Sequence, residues 1–166
     1  MLKKIPASKA FFSEDDISYI TKHFKDILSG NSYLSQFKYS QQFEEKFAEY
    51  VGTDFAVTCN SGTSALHLAL SLIDVKGKEV ILPSLSFVST AHAIIYNGGK
   101  PVFADIDPET LCINPELIEE LITKKTKAAL PVHFAGQACE MYPIIKNCKK
   151  YNLDLIEDAA HAIGTT

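Results

Sequence analysis

The fold class this sequence predicts is an α/β layer structure with a mainly parallel sheet, on three observations. Short runs rich in Val, Ile, Leu and Phe alternate with stretches of helical period from about residue 53 to the end. These runs are EVIL at 79–82, PVFA at 101–104, KAALPVHF at 127–134 and the stretch 153–156. They are apolar on both faces, as in sheets covered by helices on both sides. A chain of 166 residues is one domain's worth and can bury a sizeable core.

Taken in order, Ser13 with Asp16 three residues on reads as a capping box opening a helix. Ile17, Ile20, Phe24, Ile27 and Leu28 give that helix one apolar face, and Gly30 stops it. Asn31 to Tyr39 has no clear period and reads as a loop. A second helix spans Ser40 to Val51, with Phe43, Phe47 and Tyr50 on one side and Gly52 at its end. Phe55, Ala56, Val57 and Cys59 then form a β-prone run, broken by Asn60, Ser61, Gly62 and Thr63. From Ser64 the period is helical, and apolar nearly all round, which predicts a buried helix. Glu79 to Leu82 is a strand closed by Pro83. Leu85 to Tyr96 reads as a helix terminated by Asn97, Gly98 and Gly99. Pro101 to Ala104 is a strand leading to turn formers Asp105 and Asp107 ahead of Pro108. Asn114 caps a helix with Pro115 at its first position. A strand within 127–134 comes next, then an amphipathic helix through Met141, Ile144, Ile145, Cys148 and Tyr151. Leu153 to Ile156 is the last strand, ending in Glu157 and Asp158.

The totals narrow the function. A net charge of −4 gives no electrostatic case for nucleic acid or for an anionic membrane. Lys124, Lys125 and Lys127, the densest basic group, are expected on a solvated helix end. No apolar run reaches membrane-spanning length, and MLKKIPASKAFF has no apolar core of signal-peptide length. A cytoplasmic protein is the expectation. Cys59, Cys112, Cys139 and Cys148 lack CxxC spacing, so no zinc or redox motif is indicated and buried reduced thiols are expected. His67 and His92 are expected in structural or surface roles, and His23 at the surface.

Ligands of such sheets gather outside the carboxyl ends of the strands. Two turns there matter most. At Asn60–Ser64 small residues precede a helix whose first amides have no intrahelical acceptor, a geometry that suits phosphate. The same residues also suit a packing helix simply capped by Asn60 or Ser61. At the other end, Asp158 lies where a catalytic or cofactor-binding acid belongs, or else caps the next helix.

Five blocks also carry a resemblance: SGTSALHLAL, EVILPSLSFVSTAHAI, PVFADIDPETL, TKAALPVHFAGQACEM and LIEDAAHAIGTT. In order and spacing the chain resembles, from about Ser13 to its end, the sugar aminotransferases of the DegT–StrS type. PSLSFVST and EDAAHAIGT are most similar to the members that form UDP-linked aminoarabinose. The resemblance implies a three-layer αβα domain of the aspartate-aminotransferase fold (fold type I), here incomplete. Its cofactor would be pyridoxal 5'-phosphate, passing through pyridoxamine phosphate. Its substrates would be a nucleotide-linked keto sugar and glutamate as amino donor, in a homodimer when complete. It further implies that Gly62, Thr63 and Ser64 hold the cofactor phosphate and that Phe87 lies against the pyridine ring, although Phe87 also fits a core position on its helix. Asp158 would pair with the ring nitrogen and His161 would lie near the ring hydroxyl, although His161 also fits a histidine satisfied in a helix's first turn. His133 and Gln137 match a block near the site without a specific role.

The family's cofactor-binding lysine lies in a Ser-Phe-x-x-x-Lys segment past the aspartate block, and the chain stops at Thr166 before it. Catalytic residues are therefore expected to be missing, together with the remaining strands, a second phosphate-binding serine and the small C-terminal domain. Residues 1–52 are read as a helical segment and 53–166 as a partial cofactor-binding domain of a longer enzyme. On this reading the piece alone binds cofactor weakly and does not transaminate. Relatives with histidine in place of that lysine are dehydratases, so a pyridoxal-phosphate-dependent sugar dehydratase stays an open alternative. Two further readings stay open: a non-catalytic piece that associates with an intact paralogue, and an α/β domain using the Gly62 turn for a mononucleotide.

Overall fold

The computed structural model describes residues 10–31, 33 and 38–165. The first nine residues, most of the loop expected at Asn31–Tyr39, and Thr166 lie outside the described residues. The chain divides into two compact units, Met1–Thr58 and Cys59–Thr166.

The first unit contains α1 (Glu14–Leu28) and α2 (Lys38–Val51). The capping box forms as expected: Asp16 N–H donates to Ser13 Oγ at 3.1 Å, and Ser13 N–H to Asp16 Oδ2 at 2.8 Å. His23 is half-buried rather than a surface residue. Its Nδ1 lies 2.8 Å from the Tyr39 hydroxyl, and its ring packs edge-on against Tyr19. After α2 the β-prone run 55–59 is not a strand. No strand among the described residues pairs with it, and Phe55 is left 86% exposed. Without a ladder partner, the Thr58 amide turns to a side chain. Thr58 donates both N–H and Oγ–H to Glu44 Oε1 at 2.7 Å.

The second unit is a parallel four-stranded sheet in the order β2-β1-β3-β4. The strands are β1 (Glu79–Pro83), β2 (Lys100–Ala104), β3 (Thr126–Ala129) and β4 (Asp154–Leu155), and the helices α3 (Gly62–Ser71), α4 (Val88–Tyr96), α5 (Pro115–Leu121) and α6 (Met141–Tyr151). Alternation along the strands divides the core in two. Val80, Leu82, Ala128 and Leu130 pack with Leu66 and Leu70 of α3 and with Ala93 and Ile94 of α4. Ile81 and Ala129 face the opposite way, to Ile118 of α5 and to Ile144 and Cys148 of α6. Helices on both faces of a parallel sheet make the expected three layers.

Burial on both faces holds for β1, all of whose residues are buried, and fails for β2. As the edge strand β2 buries only Ala104. The helix expected to be buried all round, α3, buries only Leu66 and Leu70 and leaves Leu72 81% exposed, because only one of its sides meets the sheet and α4. Leu85–Phe87, expected inside a helix, precede α4 as a bend, with Phe87 at its N-cap. Lys124 and Lys125 sit in the turn after α5, and Lys127 lies in β3, paired to Asp154 at 2.7 Å. Cys59 is exposed; the other three cysteines are buried thiols. Among the described residues no helix is long and apolar enough to cross a membrane, and no group of three metal-binding side chains converges.

One carboxylate at the amino end of the sheet makes stability pH-dependent. Glu79 accepts from Thr123 Oγ1 at 2.6 Å and from Lys100 Nζ at 3.1 Å. The Thr123 hydrogen bond, then that of Lys100, holds its carboxyl below the ordinary value of 4.5. A depressed carboxylate contributes stability above its unfolded-state value and loses it as pH falls through the folded value. Glu79→Gln is expected to flatten the loss of stability at acid pH, read from urea midpoints measured across the acid range.

Candidate functional site

The chain runs from β1 outward to β2, then returns across β1 to β3. The direction reverses between β1 and β3, and crevices at the carboxyl ends of strands form at such switch points. A cavity of about 460 Å³ lies there. The loop after β1 supplies Ser86 and Phe87, the loop after β3 supplies Val132 and His133, and the segment after β4 supplies Asp158 and His161. Gly62 and Thr63 enter from the start of α3.

Ser61, not Asn60, caps α3. Its Oγ accepts from the Ser64 amide at 3.2 Å and donates to Ser64 Oγ at 3.1 Å. The Gly62 and Thr63 amides keep no acceptor among the described residues, so two donors at the positive end of the helix dipole open on the cavity. Gly62 has no positive φ, and a β-carbon added to it would meet nothing within 4 Å. Neither the backbone nor packing demands glycine there. Ser64 does not line the cavity; its hydroxyl faces Ser61.

Asp158 is 7% exposed and held at both ends. Its backbone pairs with Val132 in a parallel bridge, its amide donating to Pro131 O at 2.9 Å while its carbonyl accepts from His133 N–H at 3.1 Å. Its Oδ2 accepts from Thr90 Oγ1 at 2.8 Å, and its Oδ1 from the Ala160 amide at 3.3 Å. Glu157 points the other way, as the next residue of an extended chain must, and accepts from His133 Nε2 at 2.9 Å. Phe87 is 71% exposed, so it is not a core residue of its helix. No helix begins around His161, which instead accepts the Ala135 amide on Nδ1 at 3.3 Å. That contact sits on a tight loop: Ala135 and Gly136 both take positive φ, and a β-carbon at Gly136 would come within 3.1 Å of His161 O.

His133 is buried, and its Nδ1 accepts the Cys139 amide at 3.1 Å. Burial, with Cys112 alongside, pushes the Cys139 thiol up to about 12, so it stays protonated and packs against Val132 O at 3.2 Å. Gln137 does not line the cavity; its amide donates to Ala138 O. Asp107 accepts the Glu109 and Thr110 amides, a turn former as expected.

The structure thus brings Gly62, Thr63, Phe87, Asp158 and His161 to one cavity and leaves Ser64 beside it. Sequence reasoning passed over Thr90 and Ser86. Their spacing, four apart, puts the two hydroxyls on one side of the helix start, but nothing local ties either of them to Asp158.

The profile of the DegT/DnrJ/EryC1/StrS aminotransferase family matches residues 14–166. The chain is 47% identical over 126 residues to the GDP-perosamine synthase of Caulobacter vibrioides, covering 75% of this chain and 34% of that protein. It is 43% identical over 163 residues to the spore coat polysaccharide biosynthesis protein SpsC of Bacillus subtilis, covering 98% of this chain and 41% of that one. The crystal structure of NtdA from Bacillus subtilis with bound cofactor PMP superposes with a TM-score of 0.87 at 36% identity, covering 93% of this chain and 35% of NtdA. The chain therefore spans well under half the length of these relatives.

Proposed function

Because the chain belongs to the DegT/DnrJ/EryC1/StrS aminotransferase family, we propose that it forms the cofactor-binding part of a cytoplasmic, pyridoxal-phosphate-dependent aminotransferase. Its substrate class is a nucleotide-linked keto sugar destined for polysaccharide, with glutamate as amino donor, and the working unit is a homodimer. GDP-perosamine synthase and SpsC among its relatives support the sugar and its destination. In this reading residues 53–166 belong to the cofactor-binding domain, and residues 1–52, with the helices α1 and α2, precede it in the chain.

The observation that carries the reading is that a free helix N-terminus and a buried carboxylate open on one cavity. A phosphorylated, cationic heteroaromatic ring needs both. The Gly62 and Thr63 amides, with the Thr63 and Ser64 hydroxyls, would hold the phosphate; engaging Ser64 requires its hydroxyl to turn from Ser61. Absence of a side chain at Gly62 lets the ester reach the backbone. The exposed Phe87 ring would lie over the pyridine face. Asp158 would accept a hydrogen bond from the protonated ring nitrogen and so keep the proton on the ring. His161, its Nδ1 already bonded to Ala135, would offer an Nε2 hydrogen to the ring hydroxyl. When bound, the protonated ring supplies an electron sink for the carbon that loses its proton.

The test is titration of the protein with pyridoxamine phosphate, which needs no lysine, followed by its fluorescence. Saturable binding is expected, and Gly62→Ala is expected to weaken it roughly tenfold, about 1.4 kcal/mol. The same substitution should leave stability within about 0.5 kcal/mol, since the added methyl meets nothing of the chain. Failure of the unsubstituted protein to bind pyridoxamine phosphate would sink the reading.

A further inference from the structure

We propose that Thr90, backed by Ser86, is a positioning residue that fixes the direction in which the Asp158 carboxylate accepts a hydrogen bond. Its consequence for cofactor binding rests on the reading of the cavity just given. Thr90 lies in the first turn of α4, has no exposed surface, and is 68 residues from its partner in sequence. Its Oγ1 is 2.8 Å from Asp158 Oδ2 and 2.7 Å from Ser86 Oγ.

Hydrogen counting settles the direction of this chain. A hydroxyl has one hydrogen, and a carboxylate only accepts. The Thr90 hydrogen therefore goes to Asp158, and the Ser86 hydroxyl must donate to Thr90. Donors arranged head to tail polarise one another, so the bond reaching the carboxylate is the strengthened one. The opposite carboxylate oxygen has only the long Ala160 amide contact of 3.3 Å. Thr90 thus supplies the only side-chain hydrogen bond to the Asp158 carboxyl among the described residues. Thr90 is itself stiff, being β-branched and enclosed. Ser86 lines the cavity whereas Thr90 does not, so the chain links the cavity wall to the buried acid.

The test uses Thr90→Val, which keeps the shape and removes the donor, and Thr90→Ser, which restores the donor. Two quantities are read. The first needs no ligand: hydrogen exchange at the Ala160 amide, whose acceptor is the Asp158 carboxylate. Thr90→Val is expected to speed it roughly tenfold and Thr90→Ser to return it to the parent rate. The second compares pyridoxamine phosphate with inorganic phosphate. Thr90→Val is expected to weaken the former about tenfold and leave the latter unchanged, because the Gly62 amides are untouched. Ser86→Ala, which lies outside α4, is expected to fold and to show the same pattern at roughly two- to threefold. Parent-like exchange at Ala160 in a folded Thr90→Val or Ser86→Ala protein overturns the proposal. So does equal weakening of both ligands. If the parent protein binds no pyridoxamine phosphate, the cofactor reading fails while the exchange result still decides the role of Thr90.

Discussion

Under the proposed function, Asp158→Asn is expected to lower transamination by roughly 10²–10³-fold, while the fold survives. The backbone that pairs with Val132 and His133 is unchanged by the substitution, and asparagine fills nearly the same volume. The difference lies in what the side chain offers. Thr90 donates, so the asparagine oxygen turns toward it and the NH2 group takes the place of Oδ1, beside the Ala160 amide, where it would offer a bound ring no acceptor. Donor then opposes donor, and the ring proton loses its acceptor. Turnover with glutamate and a keto-sugar nucleotide measures the loss, and the thermal midpoint checks the fold. Near-normal turnover in a folded Asp158→Asn protein would remove the carboxylate from the mechanism.

Leu82→Ala should produce the largest stability effect, a loss of about 2–5 kcal/mol in urea unfolding. Leu82 is completely buried in β1 and packs in the cluster that joins the sheet to α3 and α4. Truncation leaves a void between three elements, none of which can close it alone. Leu72→Ala is the control, because that side chain is almost wholly exposed and its loss should stay within about 0.5 kcal/mol. Equal effects at the two positions would mean that Leu82 is not packed between the sheet and the helices as described.

Which of these features could be read from residues alone depends on how local their causes are. Caps were legible because a few neighbouring atoms decide them: Ser13 with Asp16, and Asn114 with Pro115, form where the chain says they should. Strand period was legible for β1, whose two faces both meet helices. It misled at 55–59, since a strand is a relation between two segments and this run lacks the second among the described residues. It misled also at α3, where an apolar surface records what a helix can bury, not what is present to bury it. Residues of the site that lie at chain landmarks, Gly62 at a helix start and Asp158 at a strand end, could be named beforehand. Thr90 could not, because its meaning comes from Asp158, 68 residues away.

The imidazole of His133 has a consequence for proton traffic. Its Nδ1 lone pair is taken by the Cys139 amide, so the hydrogen must reside on Nε2, where Glu157 takes it. Both nitrogens are spoken for by the chain itself. A molecule entering the cleft meets this ring as a wall with no basic nitrogen on offer. Any hydrogen ion shuttled there must travel by another group.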